Sequence, residues 1–198
     1  MTPIERRRVP RRAALLAAGS LALGAGCARR SPPPDFGALG DFALTDQDGR
    51  GVTAATLRGR VWVAAFMFTR CPKVCPRMTA RMKELQRRAA ARGIPLQLVS
   101  ISVDNEHDTP ERLRAYATEH GADLTTWAFL TGDHAEVKRT SVEGFKLALD
   151  GKLDPAADHF GLLHATHLVL VDRAGHLRGY FRTTDDVLDE LLEAARAL

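Results

Sequence analysis

The period of apolar and polar positions changes several times along this chain, and each change marks an element. Val61 to Phe68 is an unbroken apolar run rich in β-branched and aromatic residues, which predicts a buried strand. Behind it, Met78, Met82, Leu85 and Ala89 recur at helical spacing and predict a helix over about 76–91. A second buried strand is expected at 95–102. A helix from Thr109 to His120 follows, with Asp108 or Thr109 as its cap and Pro110 in its first turn. Trp127 to Leu130 and about His134 to Thr140 read as another strand and helix. Before all of these, Phe42 to Thr53 reads as a short hairpin turning at Asp48-Gly49. After them, a long loop from Gly144 to Leu163 leads to a hairpin in the stretch from Leu163 to Phe181 and a last helix from Thr184 to Ala197. Strands alternating with helices predict an α/β sheet, and residues from about 41 to 198 are enough for one domain with a sizeable core.

Charge changes the picture only at the N-terminus. The formal net charge is +4, but residues 1–26 hold Arg6, Arg7, Arg8, Arg11 and Arg12 against Glu5 alone, so the remainder is near neutral. That leaves no case for nucleic acid as a partner. Residues 1–26 read as an export signal: an arginine-rich start, an apolar stretch from Ala13 to Leu23, then Gly24, Ala25 and Gly26 before Cys27. Eleven residues fall far short of the roughly 20 that a membrane-spanning helix needs. Cys27 is expected to carry the lipid of an exported bacterial lipoprotein, although Leu23 lies one place too early for the usual signal. Arg29 to Asp35, with three consecutive prolines, reads as an extended tether within 27–40 that would hold the domain off a membrane.

The chemistry concentrates in Thr69-Arg70-Cys71-Pro72-Lys73-Val74-Cys75-Pro76. Two thiols placed where a strand hands over to a helix meet unpaired N–H groups and the positive end of the helix dipole, which lower a thiol pKa. Three intervening residues are close to one helical turn, so both sulfurs can face one side. Such a pair can exchange with a disulfide or supply two soft ligands to a metal. A structural disulfide is the bland alternative, but so short a loop constrains little chain entropy. A third ligand must come from the histidines, of which His164 and His167 fall in the predicted loop and hairpin.

Further motifs make these residues resemble the Sco/SenC family of copper chaperones. The shared features are Thr69 to Pro76, Ser102-Val103-Asp104 with Asp108-Thr109-Pro110, Trp127-Ala128-Phe129-Leu130-Thr131-Gly132, and a histidine ahead of Val171-Asp172-Arg173-Ala174-Gly175. The resemblance runs from about Phe42 to the C-terminus. It implies a thioredoxin-like fold with an N-terminal β-hairpin, an inserted strand and helix, and a long loop. It also implies copper, as Cu(I) or Cu(II), held by Cys71, Cys75 and His164. His164 is preferred to His167 because it stands at the family's spacing from Asp172. Leu163, Ala165 and Lys73 depart from common family residues, Lys73 standing where an acid is usual.

The implied function is a membrane-tethered chaperone on the periplasmic side of a bacterial membrane that helps to assemble the CuA centre of cytochrome c oxidase. The alternative is a thiol-disulfide oxidoreductase that reduces the oxidase's copper-site cysteines, with Cys71 as the attacking thiol. A peroxidase is disfavoured, since no Pro-x-x-x-Thr-x-x-Cys arrangement occurs. Met67, Met78 and Met82 are expected to be packing, and Asp104 and Asp108 to serve turns and caps. His107, His120, His134, His159 and His176 are expected to face solvent. Cys71 and Cys75 should be partly exposed.

Overall fold

A computed structural model of the chain describes residues 33–147, 167–183 and 187–198. Its centre is a seven-stranded mixed sheet. In chain order the elements are β1 (Ala43–Asp46), β2 (Gly51–Thr53), α1 (Ala54–Leu57), β3 (Val61–Met67), α2 (Val74–Ala91), β4 (Leu96–Ser102) and α3 (Pro110–Glu119). Then come β5 (Trp127–Thr131), α4 (His134–Arg139), a π-helical turn (Thr140–Gly144), β6 (His167–Val171), β7 (Leu177–Arg182) and α5 (Val187–Arg196). The strands lie side by side in the order β2-β1-β5-β4-β3-β6-β7. The inner three, β5, β4 and β3, are parallel, and β1 and β6 flank them antiparallel.

Register explains why β3 reads as continuously apolar: both of its faces are covered. Val63, Ala65 and Met67 share one face with Ser100 and Phe129, and Tyr116 of α3 packs edge-on against Phe129. The hydroxyls of Tyr116 and Thr79 hydrogen-bond at 2.9 Å, joining α3 to α2. Arg88 and Arg92 pair with Asp189, joining α2 to α5 on that same side. The other face carries Trp62 and Phe66, and Phe145 stands edge-on to both, with ring centroids 5.9 and 5.2 Å away. The result is helix, sheet, then the segment around Phe145, with the predicted hairpins, strands and helices in place. The π-helical turn that extends α4 was not legible, because apolar spacing alone does not reveal a bond from residue i+5.

Thr109 caps α3, its side chain accepting from the Arg112 N–H, and Pro110 opens the helix. Asp108 therefore has other work, described below. The methionines behave as packing: Met67, Met78 and Met82 are buried in the core. His134 is exposed, whereas His107, His120 and His176 are only partly so, each against a neighbour: Arg112, Tyr116 and Asp35 respectively. His159 lies outside the described residues.

The tether expectation needs a correction from Pro33 onward. The backbone N–H of Phe36 donates to Leu177 O, that of Leu177 to Gly37 O, and that of Leu39 to Gly175 O. This segment, Pro33 to Leu39, thus lies antiparallel to the β6–β7 turn and the first residue of β7 as a strap. Asp35 fastens it, 2.8 Å from His176 Nδ1 and 3.4 Å from Arg178. The hydrogen bond from His176 holds the Asp35 carboxyl below its ordinary value. Arg178 also donates to Pro33 O at 2.6 Å, and Phe36 stacks edge-on against Tyr180. Proline composition predicts extended backbone; it carries no information about the side-chain partners that dock it.

Candidate metal centre

β3 delivers the chain to the thiols at its C-terminal end, and the loop Phe68–Lys73 then turns into α2. Lys73 provides no side-chain cap for that helix. Instead the backbone N–H of Cys75 donates to Cys71 Sγ at 3.3 Å, so a sulfur takes the capping place usually filled by an oxygen. The cysteines are free thiols and are neighbours at the start of α2, as the strand-to-helix pattern predicts.

They are not partly exposed, however. Cys71 is 8% and Cys75 1% accessible, both inside the apolar cluster that includes Phe68 and Met78. Burial pushes the Cys75 thiol well above its ordinary value of 9.0, against a backbone hydrogen bond from Phe68 that acts the other way. Desolvation thus outweighs that hydrogen bond at this residue. Alkylation with iodoacetamide at pH 8 followed by peptide mass spectrometry should therefore leave Cys75 largely unmodified in the folded, reduced protein. Modification at the rate of an unfolded control would contradict the burial.

Two buried carboxyl groups hold the loop. Asp108, fully buried, accepts from the Thr69 N–H at 2.9 Å, from Thr69 Oγ1 at 2.5 Å and from Ser102 Oγ at 2.5 Å. Asp104, also buried, pairs with Arg70 through Nε at 2.5 Å and the guanidinium NH2 group at 3.2 Å. Thr69 and Arg70 are the residues directly ahead of Cys71, so the β4–α3 turn clamps the thiol loop from the neighbouring strand. This corrects the turn-and-cap reading of Asp104 and Asp108. Tyr116 lies beneath, hydrogen-bonded to Thr79, its hydroxyl pushed up to about 12 chiefly by burial. In the sequence Thr69 belongs to one motif and Ser102 and Asp108 to another; only the pairing of β3 with β4 shows that they form one network.

Among the described residues no group of three His, Cys, Asp or Glu side chains is placed to hold a metal. Two soft sulfurs are an incomplete site by themselves. His164 and Cys27 lie outside the described residues. The strand that follows His164 is informative all the same. β6 runs antiparallel to β3, with Ala64 opposite Val169 and Trp62 opposite Val171, so its first residue, His167, lies at the thiol end of the sheet. His167 shares its face with Val169, on the Trp62 and Phe145 side and away from α2. Among the described residues its Nδ1 is buried without a partner, beside a cavity lined by Phe36, Lys146, Leu147 and Tyr180.

A family model described as SCO1/SenC matches residues 31–197. The chain belongs to the SCO1/SenC family. A curated SCO1/SenC relative, the SCO1 protein homolog of Bacillus subtilis, is 39% identical over 106 residues. That alignment spans 53% of this chain and only about half, 55%, of the relative. Among solved structures, BsSco is described as having a disulfide switch and as a member of the Sco family of cytochrome c oxidase assembly proteins. It is similar at TM-score 0.71 and 29% identity, covering 83% of this chain and 96% of that one. Bradyrhizobium japonicum ScoI, solved with copper bound, is similar at TM-score 0.64 and 26% identity, covering 80% of this chain and 98% of that one. The thioredoxin-like α/β architecture is that of these SCO1/SenC structures.

Proposed function

We propose that this chain is an exported, membrane-tethered copper chaperone that takes copper through Cys71, Cys75 and His164 and helps to load the CuA centre of a cytochrome c oxidase. One observation carries the proposal: two free thiols are held side by side by a clamped loop in a family whose B. japonicum member holds copper. Return of the chain to the sheet at the thiol end, three residues after His164, supports the third ligand. Two thiolates and a neutral imidazole form a soft set suited to Cu(I), and added ligands would accommodate Cu(II). Copper is cargo here and leaves by ligand exchange to a site of similar donors, without turnover. Export to the periplasmic side and a lipid on Cys27 follow from the pattern of residues 1–27.

The test is an anaerobic Cu(I) titration of the reduced protein and its His164→Ala form, with copper counted after competition with a chelator. One tightly held copper that is released far more readily from the variant is expected. Copper retention indifferent to His164 would overturn the three-ligand site.

Contact between the two thiols also supports the second reading, a thiol-disulfide reductase. Cys71, the more accessible of the two, would attack a partner disulfide, and Cys75 would release the partner by closing the Cys71–Cys75 bond. Two electrons and two protons would pass to the partner's cysteines. In that case His164→Ala would leave disulfide exchange intact.

A further inference from the structure

Beyond residue 26 the chain is near neutral, yet its charge is not spread evenly. α2 and its C-cap carry Arg77, Arg81, Lys83, Arg87, Arg88 and Arg92 against Glu84 alone. The rest of the chain after residue 26 is therefore acidic on balance. Burial of Cys75, Met78, Met82, Leu85 and Ala89 fixes the inner face of the helix. Its cations project from the outer face, with Arg77, Lys83, Arg87 and Arg92 exposed and Arg81 and Arg88 partly so. From Arg77 to Arg92 this ridge runs about 22 Å. It starts at the thiols, for Cys75 stands in the first turn of the helix.

Neighbouring acids answer only part of this charge. Glu84 takes Arg87 and Arg88, each at 2.7 Å, and the two guanidiniums hold its carboxyl down at about 2. Asp189 of α5 takes Arg88 at 3.1 Å and Arg92 at 2.6 Å. Two carboxylates thus serve three guanidiniums. Arg81 is engaged as well. The Lys83 ammonium lies against Gly121, just past the end of α3, and so meets the negative end of that helix. Arg77 has no ion pair among the described residues. On the flanks, α3 is balanced, with Glu111 and Glu119 against Arg112 and Arg114, while α5 adds Glu190 and Glu193 against Arg196. At the thiol end Glu106 is exposed in the β4–α3 turn, whereas exposed Asp41 and Asp133 belong with α4 and Phe42 on the Trp62 side. Like charges one turn apart, Arg77 with Arg81 and Lys83 with Arg87, weaken the helix that bears them. Helix stability therefore gives no reason for the ridge.

We propose that the outer face of α2 is a docking ridge for an acidic protein surface, the one that borders the site to which this chain passes copper. This rests on the chaperone reading. Charge complementarity selects the occupant. All of the cations but Lys83 are arginines, whose planar forks match carboxylates and keep donors free beyond their bonds to Glu84 and Asp189. Position selects a protein rather than lipid: a ridge that starts beside Cys75 guides a copper-accepting site to the thiols, and a bilayer accepts no copper. The same two carboxylates hold Arg87, Arg88 and Arg92 in place before the partner arrives, which lowers the ordering cost of docking. Attraction to a segregated charge of this kind acts mostly on the rate of encounter and fades with salt.

The experiment uses the full chain, reduced and loaded with Cu(I). Two acceptor peptides share a segment with two cysteines and a histidine; one continues into a run of glutamates, the other into glutamines. Stopped-flow copper transfer to the glutamate peptide is expected to be several-fold faster at low salt, with the advantage lost in concentrated NaCl. Combining Arg77→Gln, Lys83→Gln and Arg87→Gln should remove that advantage. Combining Arg58→Gln, Arg60→Gln and Lys138→Gln makes the same change of charge on the Trp62 side and should keep it. Equal rates for the two peptides in the unaltered chain would overturn the ridge. So would equal losses in the two variants, which would show net charge alone at work. Equal rates joined to tighter retention of the unaltered chain than of its ridge variant on phosphatidylglycerol vesicles would assign the ridge to lipid. Fluorescence anisotropy of both peptides with the copper-free reduced chain separates the two readings. A chain that holds no copper yet prefers the glutamate peptide sinks only the chaperone, and copper held without that preference sinks only the ridge.

Discussion

Replacing Asp108 with Ala should destabilise the domain by about 4 kcal/mol and loosen copper at the same time. The side chain is fully buried and satisfies three donors, the Thr69 N–H, Thr69 Oγ1 and Ser102 Oγ. Alanine strands all three, and each buried unsatisfied donor costs about 1–3 kcal/mol, part of which water or a shifted hydroxyl recovers. In a domain of this size each kcal/mol moves Tm by about 2–4 °C, so a fall of roughly 8–16 °C is expected. Asp108→Asn should cost about half as much on the same scale, because one amide oxygen still accepts while its NH2 group meets donors. Since Thr69 is two residues from Cys71, copper retention should fall in the order wild type, Asn, Ala, even well below Tm. Urea denaturation and chelator competition measure the two effects. A loss under 1 kcal/mol with copper retention unchanged would show that the clamp does not hold the thiol loop.

Phe145→Ala is expected to cost a similar 3–5 kcal/mol for a different reason, a cavity in the second layer. The ring is fully buried, edge-on to Trp62 and Phe66. Neither indole nor phenyl can follow it, because both are fixed to an inner strand, β3. The backbone here is also committed: the Phe145 N–H closes the π-helical turn on Thr140 O, and its carbonyl accepts from the Tyr180 hydroxyl at 3.0 Å. Leu147 and Ser141 are joined by two further hydrogen bonds, Leu147 N–H to Ser141 O and Ser141 Oγ to Leu147 O. This is the last described stretch before the residues that carry His164. The variant should therefore weaken Cu(I) retention at 25 °C while leaving the thiols' capping geometry in place. Differential scanning calorimetry and the same competition assay decide it, and a Tm unchanged within 2 °C would count against this packing role.

The elements were legible because the inner strands are buried on both faces. Their apolar runs are long enough to separate from the helical spacing of Met78, Met82, Leu85 and Ala89. Both thiols were legible too, since nothing else in the chain places two cysteines at a strand–helix junction. Their burial was not. Accessibility depends on what Phe68, Met78 and the neighbouring strand bring over the loop, and no local pattern records it. Asp108 shows the same limit: it stands one residue before the α3 cap and looks like a helix-start residue. Its partner Thr69 is 39 positions away, close only because β3 and β4 pair in parallel. The strap was hidden most completely, for Asp35 and His176 are 141 positions apart.

That strap also closes a gap in the sheet. One outer strand, β2, has three residues, too few to template another chain. β7, with six residues, would offer a long row of open backbone groups if it stood uncovered, and such edges invite pairing between molecules. Phe36 and Gly37 take up the groups of Leu177 at the start of that row, and Leu39 those of Gly175 just before it. A fragment begun at Phe42 would discard this cover at the start of β7, and its characteristic failure would be self-association through β7 rather than loss of fold. Solubility of this domain is thus partly a property of residues that precede it.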